Sequence, residues 1–359
     1  MKKPVGIFYE VFADRDNVNA QSLNARGIAL RLNRERFRSS FLASGSPDPR
    51  LFGQAHIRLI VLPPRLRSLF ARAALRCSPD SILVYPNSLF HPAGWGEKLG
   101  SALRKKKMVY PLEEPIDFIK EENPRGFEEV CRLLGRSDSV VPISEHTAQV
   151  LELETGIRAP LTIPLGIDSR FFFPREREEF SPVRVLFAGR LIARKGPDKV
   201  LEAASRFPAA HFRLIGSALS PQDEKYARQL RHRVAREELK NVEFIGKVSQ
   251  EGLRSHLWES DLLLHPSSVE GIPRVTLEAG ATGIPSIVFD SYRTPSVVDG
   301  VTGFQVKTVE EMMDRLGQLI ADRGLRRKMG AAAVEHVKQF DWAVLARRWE
   351  KVFAELAQN

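Results

Sequence analysis

Short apolar runs alternate with polar, helix-spaced stretches from one end of this chain to the other. VGIFYEVF (5–12) reads as a strand, and AQSLNARGIALRLN (20–33) spaces its apolar residues for a helix. FRSSFLAS, IRLIVLP and SILVYP predict three more short strands, with the basic amphipathic helix RLRSLFARAALR (65–76) among them. MVYPLEEP (108–115) is a strand running into a turn, and SVVPIS (139–144) is another. EHTAQVLELETG is a helix closed by Gly156, and LTIPLGI reads as a strand after it. FFFPREREEFSP (171–182), polar and bounded by prolines, has the character of an interdomain linker. A second series then begins with VRVLFAG (183–189), HFRLIGS (211–217), VEFIG (242–246), DLLLHPS (261–267), PSIVFD (285–290) and GFQV (303–306). The last helix, DWAVLARRWEKVFAEL, carries Trp342, Leu345, Trp349 and Phe353 at helical spacing, as core or interdomain packing requires.

Continuous apolar strands alternating with helices imply parallel sheets covered on both faces. Two such series predict an α/β chain of two Rossmann-like parallel-sheet domains facing a cleft. Ligands of such sheets bind beyond the C-terminal strand ends. The length of 359 residues agrees, being too great for one ordinary core. The expected domains are residues 1–170 and 183–340.

Composition narrows the class. Hydrophobic content of 43% and charged content of 27% are ordinary for a globular protein. Cys77 and Cys131 lack metal-ligand spacing, and two lone thiols suit a reducing, cytoplasmic compartment. The opening MKKPVGIFYEVF imitates a signal peptide, but Glu10 interrupts the apolar run and no small-residue cleavage site follows. No apolar stretch is long enough to span a membrane. The net charge of +10 is uneven: residues 15–107 hold 17 Lys or Arg against 5 Asp or Glu. A basic N-terminal surface suits an anionic partner, or is simply a well-solvated face. Residues 58–76 are the candidate contact with an anionic membrane surface, and an ordinary domain helix with a charged outer side is the alternative. Nucleic acid is not expected, because the basic stretch lacks interleaved aromatics.

Two stretches carry candidate chemistry. In VLFAGRLIARKG (185–196) a strand ends at Gly189, and Arg190 and Lys195 sit in the loop before a helix opened by Gly196 and Pro197. Two cations beside a helix N-terminus make a diphosphate site, unless they are merely solvated loop residues. In HPSSVEGIPRVTLEAG (265–280), Glu270 lies on the loop beyond a strand, Gly271 permits close backbone approach and Pro273 suits the first helical turn. The amides of Gly271 and Ile272 can then point at an anion, and Glu278 lies about a turn and a half into the helix. A carboxylate at each end with amides between suits a nucleotide-diphosphate sugar, although two glutamates at this spacing are weak evidence alone.

GRLIARKG, EGIPRVTLEAGATGIP and DGVTGFQV, with ISEHTAQVL and IPLGIDSRFFFP, together resemble the retaining glycosyltransferases of family 4, which have the GT-B fold. The resemblance is good over about residues 139–350 and loose before that. It implies a donor nucleotide sugar held mainly by the C-terminal domain, and a last helix (341–359) packed back onto the N-terminal one. It also implies that Arg190 and Lys195 bind the donor diphosphate, that Glu270 contacts the sugar near its anomeric carbon and that Glu278 contacts the ribose. The backbone near Gly246 and Val248 would lie by the base, and the strand-end glycines Gly189 and Gly216 complete the expected donor set. The implied reaction is a retaining, metal-independent transfer to a glycan or lipid-linked acceptor, in cell-surface polysaccharide or glycolipid synthesis. The protein would then work in the cytoplasm or at the inner face of the membrane, with no cofactor.

The chain departs from that family in two places. The loop after the first strand, DRDNVNAQS (14–22), has no glycine, and Asn17 and Asn19 are the residues there able to tolerate unusual backbone angles. Its Asp14-Arg15-Asp16 is a DxD, but the cations already present make a metal there an outside expectation. Where many members carry a histidine, MVYPLEEP offers Glu113 or Glu114. Glu113 can orient the acceptor or act as a base, or it can belong to a surface turn. His91, past another strand end, is a candidate for the acceptor side. His146 and His265 read as structural or merely near the cleft. Rival functions are a non-catalytic nucleotide-binding or membrane-associated protein on the same scaffold, and a nucleotide-sugar epimerase.

Overall fold

A computed structural model describes residues 3–15, 19–62, 80–85, 106–122, 124, 126–176 and 181–358. The chain divides into two compact units. One comprises residues 1–166 and 340–359, and the other residues 167–339. The helix at 65–76, residues 63–76 of the basic segment, Asn17, Asp16, Cys77 and His91 lie outside the described residues. Among the described residues no helix is long and apolar enough to cross a membrane.

The first unit is built on β1 (Val5–Phe12), β2 (Phe37–Ala43), β3 (Ile57–Val61), β4 (Ile82–Val84), β5 (Lys107–Leu112) and β6 (Ser139–Pro142). They form one parallel sheet in the order β3-β2-β1-β4-β5-β6. Helix α1 (Ala20–Ala29) packs beside β1, and its N-terminus is capped by Asn19, whose side chain accepts from the Ser22 amide. Two helices the alternation did not suggest, α2 (Ile116–Glu122) and α3 (Phe127–Arg136), follow β5. Helix α4 (Glu145–Thr155) ends at Gly156, whose φ of 72° supplies the left-handed cap. LTIPLGI, expected as a strand, does not join the sheet: Pro164 lacks a ladder donor, and the segment is tied to β6 by the Ile163 amide at 3.0 Å from the Pro142 carbonyl.

The last helix, α11 (Trp342–Leu356), belongs to this unit. Trp342, Leu345, Trp349 and Phe353 share a core with Ile7, Tyr9, Phe37 and Phe41. Gly27 and Gly166 make room for Trp342; a Cβ added at either would lie 2.1 and 1.9 Å, respectively, from its ring. The indole Nε1 donates to Asn24 Oδ1 at 3.2 Å. The same oxygen accepts from the Gly166 amide.

The second unit repeats the arrangement. Its strands are β7 (Arg184–Ala188), β8 (His211–Ile215), β9 (Val242–Gly246), β10 (Leu262–His265), β11 (Ser286–Phe289) and β12 (Gly303–Val306). Their order is β12-β11-β10-β7-β8-β9, all parallel. The intervening helices are α5 (Pro197–Arg206), α6 (Pro221–Arg236), α7 (Gln250–Trp258), α8 (Arg274–Ala281), α9 (Val309–Ala321) and α10 (Arg323–Val337). Strands β7, β8, β10 and β11 supply Val185, Phe187, Phe212, Leu214, Leu262, Leu264 and Ile287 to one core. Residues 171–173, expected to open the linker, pack on α7 instead. Arg254 lies 4.4 Å from the Phe171 ring centroid and 4.7 Å from that of Trp258, and Trp258 Nε1 donates to the Phe173 carbonyl at 2.8 Å.

In both sheets the first strand of the series pairs with the second on one side and the fourth on the other. Chain direction away from the sheet reverses there, which leaves a crevice at the C-terminal strand ends. In the second unit this switch point lies between β7 and β10, where Leu262 faces Val185 and Leu263 faces Leu186. The two stretches singled out by their chemistry are the loops that leave these two strands.

Candidate active site

Strand β7 ends at Ala188, and the chain turns through Gly189 and Arg190 into a single 3-10 turn, Ala193–Lys195. Gly196 follows with φ of 71°, and Pro197 opens α5. Gly196 is fixed by more than its backbone angle, because a Cβ there would lie 2.2 Å from the Pro266 carbonyl oxygen. The loop after β7 is thus pressed directly onto the loop after β10. Hydrogen bonds complete the junction: the Ser268 amide donates to the Arg194 carbonyl at 2.9 Å, and Arg194 Nη1 donates to the Val269 carbonyl at 2.6 Å.

This junction brings Lys195 and Glu270 together. Lys195 Nζ donates to Glu270 Oε1. Arg194 Nη1 lies 3.7 Å from Oε2, and His265 Nε2 lies 3.2 Å from Oε1. Glu270 is buried, at 8% exposure. Burial alone would raise its carboxyl, but the charge of Lys195 and the hydrogen bonds from His265 and Lys195 outweigh burial and hold it well below the usual carboxylate range. His265 is driven the other way. Burial lowers it despite the bond to Glu270, so the imidazole is neutral at neutral pH. A carboxylate only accepts, so Nε2 carries the proton and Nδ1 is left as an acceptor, buried with no hydrogen-bond partner among the described residues. The Tyr292 hydroxyl is likewise buried and without a hydrogen-bond partner there, and burial followed by the Glu270 charge keeps it protonated.

Two cations thus converge on one carboxylate, and the cluster carries an excess positive charge. Beside it lies an open helix end. Gly271, Ile272 and Pro273 are buried, α8 starts at Arg274, and no side chain caps its N-terminus. Pro273 is the N-cap, one position earlier than expected; its extended ψ of 115° keeps it out of the first turn. Glu278 is buried on the same helix with Arg274 Nη2 3.7 Å away. Burial raises its carboxyl, and Arg274 only partly opposes this.

The strand-end glycines form a row. The Gly189 amide donates to the Ile215 carbonyl at 3.0 Å, and the Gly216 amide to the Gly246 carbonyl at 2.9 Å. Gly216 has φ of 151°, and a Cβ there would lie 1.8 Å from the Gly189 carbonyl oxygen. Half-buried Val248 follows Gly246 and lies against Gly252 of α7. Arg190 takes another course. Its Nη2 reaches Asp223 of α6 at 2.9 Å, so the two expected diphosphate cations are parted between two carboxylates.

The acceptor-side candidates lie in the other unit. Half-buried Glu113 accepts from the Tyr85 hydroxyl at 2.7 Å, while Glu114 is exposed. Asp14 of the DxD binds its own scaffold: its carboxylate accepts from the Ser44 and Gly45 amides at 3.0–3.1 Å. Among the described residues no three His, Cys, Asp or Glu side chains gather where they could hold a metal. Arg194, His265, Asp223 and Tyr292 were not expected at the site. The first two had a signal in the chain: Arg194 adjoins Lys195, and His265 is the last residue of a strand whose following loop carries Glu270.

Residues 169–336 match the family model described as Glycosyl transferases group 1. The group 1 region contains the whole Lys195–Glu270 junction, the α8 N-terminus and Asp223. The chain is 28% identical over 250 residues to the GDP-mannose-dependent monoacylated alpha-(1-6)-phosphatidylinositol monomannoside mannosyltransferase of Corynebacterium glutamicum, covering 62% of this chain and 64% of that protein. It is 30% identical over 261 residues to the D-inositol 3-phosphate glycosyltransferase of Kribbella flavida, covering 66% of this chain and 58% of that one. The chain therefore spans less than two thirds of the length of these relatives. Two solved structures share the fold. Sucrose-phosphate synthase from Thermosynechococcus elongatus has a TM-score of 0.81 at 19% identity, covering 99% of this chain and all of that one. Anabaena HepE, solved with UDP and glucose, has a TM-score of 0.77 at 18% identity, covering 98% of this chain and all of that one. The two six-stranded parallel sheets are those of the GT-B architecture.

Proposed function

We propose that this protein is a retaining, metal-independent glycosyltransferase that moves a sugar from a nucleotide-diphosphate donor to a glycan or lipid-linked acceptor. The observation that carries the reading is the Lys195–Glu270 junction at the switch point of the second sheet, next to the uncapped start of α8. A sugar–phosphate bond breaks more easily when charge growing on the leaving diphosphate meets preorganised cations and helix amides. Lys195, Arg190 and the α8 N-terminus supply these without a metal. Glu270, ionised and buried, accepts from hydroxyls of the transferred sugar, and Glu278 accepts from the ribose. Retention follows if the acceptor attacks from the face the diphosphate leaves, with a leaving phosphate oxygen taking the acceptor proton. Glu113 then orients the acceptor hydroxyl.

In this account Lys195 exchanges partners during binding. It leaves Glu270 for the diphosphate, and Arg194 and His265 keep the carboxylate satisfied. Relatives named for GDP-mannose and for inositol acceptors make GDP-mannose and inositol phosphates the first probes. The acceptor side serves cell-surface polysaccharide or glycolipid synthesis at the inner face of the membrane. A thermal-shift screen of UDP, GDP, ADP and their sugar conjugates tests the reading. One nucleoside diphosphate is expected to raise the melting temperature of the wild type and to do so far less in Lys195→Ala, since ligand stabilisation scales with affinity. No shift with any of them would remove the reading.

A further inference from the structure

The other expected diphosphate cation of the β7 loop, Arg190, raises a separate question. Arg190 is held by a carboxylate, but by one that lies on a different element from Glu270. Asp223 is the third residue of α6, and its amide donates to the Ser220 hydroxyl, the helix N-cap, at 3.1 Å. In a capping box the third-residue side chain, a Glu or Gln, reaches back to the cap amide. Here it reaches one residue further, to the Leu219 amide at 3.2 Å, and the same oxygen, Oδ2, takes Arg190 Nη2 at 2.9 Å.

The scaffold under this pair does not depend on it. The Leu191 amide donates to the Ser217 carbonyl at 3.3 Å, Gly216 lies against the Gly189 carbonyl, and Tyr226 of α6 donates to Asp198 of α5 at 3.0 Å. The loop after β7 and the start of α6 would stay together without the ion pair. What the pair fixes is the guanidinium itself, whose side chain is 46% exposed and so has room to turn. The Arg190 hydrogen bond, then the Leu219 amide and the Ser220 hydroxyl, hold the Asp223 carboxyl below its ordinary value against a smaller opposing effect of burial, so it is ionised at neutral pH.

We propose that Asp223 is the residue that sets the affinity of the nucleoside-diphosphate site, as a built-in counter-ion that Arg190 must leave before it can bind a phosphate. The inference rests on the reading that Arg190 belongs to the donor site. Ligand and Asp223 compete for one guanidinium, so the free energy of the Arg190–Asp223 contact is subtracted from that of binding. Exposed pairs of this kind move an equilibrium by about 1.5- to 5-fold. Screening by salt weakens them, so the effect is largest at low ionic strength.

The test is calorimetric titration of GDP and of UDP into the full chain and three variants: Asp223→Asn, Arg190→Ala and the double variant. Asn keeps an oxygen for the Leu219 amide and removes only the charge; Asp223→Ser is the substitute if the first variant folds poorly. Asp223→Asn is expected to tighten the better-binding nucleotide about two- to five-fold at low salt, and less at high salt. Arg190→Ala is expected to weaken it, and Asp223→Asn to have no effect in that background. A gain of affinity from removing a charge is not what structural damage produces. If Asp223→Asn weakens binding or leaves it unchanged while Arg190→Ala weakens it, Asp223 is no competitor and the proposal is overturned. Equal tightening with and without Arg190 would assign the effect to the general field and also overturn it. If Arg190→Ala binds like the wild type, the placement of Arg190 at the donor is wrong, and the inference falls with it.

Discussion

Removing Lys195 tests how far the Glu270 junction is held together by charge. Glu270 is 8% exposed and the Lys195 side chain 16%, so the pair is largely out of water. Deleting one member of a buried pair costs about 3–5 kcal/mol, because the other is left uncompensated. Here Arg194 at 3.7 Å and His265 at 3.2 Å still face the carboxylate, which lowers the expectation for Lys195→Ala to about 2–3 kcal/mol. For a unit of this size that is a fall in melting temperature of about 4–12 °C. Glu270→Gln should cost less, since the lysine left behind can reach solvent. The double variant should recover part of the loss, with a coupling of about 1–2 kcal/mol between the two sites.

The dependence on pH has a definite sign. The folded Glu270 carboxyl is depressed, so the folded state binds its proton more weakly than the unfolded state does. The stabilisation is complete above the unfolded value of about 4.3 and is lost as pH falls through the folded one. The gap between the wild type and Lys195→Ala should therefore narrow in acid and be constant near neutrality. Scanning calorimetry of the full-length variants across pH measures both effects. Singles as stable as the wild type with no coupling, or a gap that widens in acid, would refute the argument.

Gly196→Ala is expected to destabilise the protein by at least about 2 kcal/mol, from left-handed backbone and the clash with the Pro266 carbonyl; a melting curve matching the wild type would contradict the loop contact. Glu278→Gln should gain stability relative to the wild type as pH rises. Burial raises the native carboxyl, so its favourable contribution is present below the unfolded value and is lost as pH climbs through the folded one. Parallel stability–pH curves for the two proteins would show that Glu278 is not strained by its charge. EDTA should leave transfer within about twofold of the untreated rate, since cations and helix amides stabilise the leaving group in this account; abolition of turnover, restored by a divalent ion, would require a metal.

The sequence pattern was most informative where the chain must bury itself completely. VGIFYEVF begins and ends as expected because β1, flanked by β2 and β4, is a parallel strand with buried residues on both faces. LTIPLGI misled for the same reason: Ile163, Leu165 and Ile167 are buried, but Pro164 cannot donate to a ladder, and burial without pairing leaves no mark in the composition. Helices α2 and α3 were missed, being short. Within the site, Lys195 and Glu270 were legible because each stands on a loop after a strand. Their partners were not, since the pairing of β7 with β10, 73 to 75 residues apart at the contacts of Arg194 and Lys195, is decided by the sheet. Arg190 looked equivalent to Lys195 in the chain, and only the start of α6, 33 residues on, shows that it has a different counter-ion.

The central claim is that a diphosphate binds where the loops after β7 and β10 meet. Equilibrium titration of the preferred nucleotide into Lys195→Ala and the wild type, with the corresponding nucleoside as a ligand lacking phosphate, measures this directly. The account predicts a loss of at least about tenfold for the diphosphate, in keeping with a charge-assisted bond worth about 1.5–3 kcal/mol, and little change for the nucleoside. Equal affinity of both proteins for the diphosphate would contradict it.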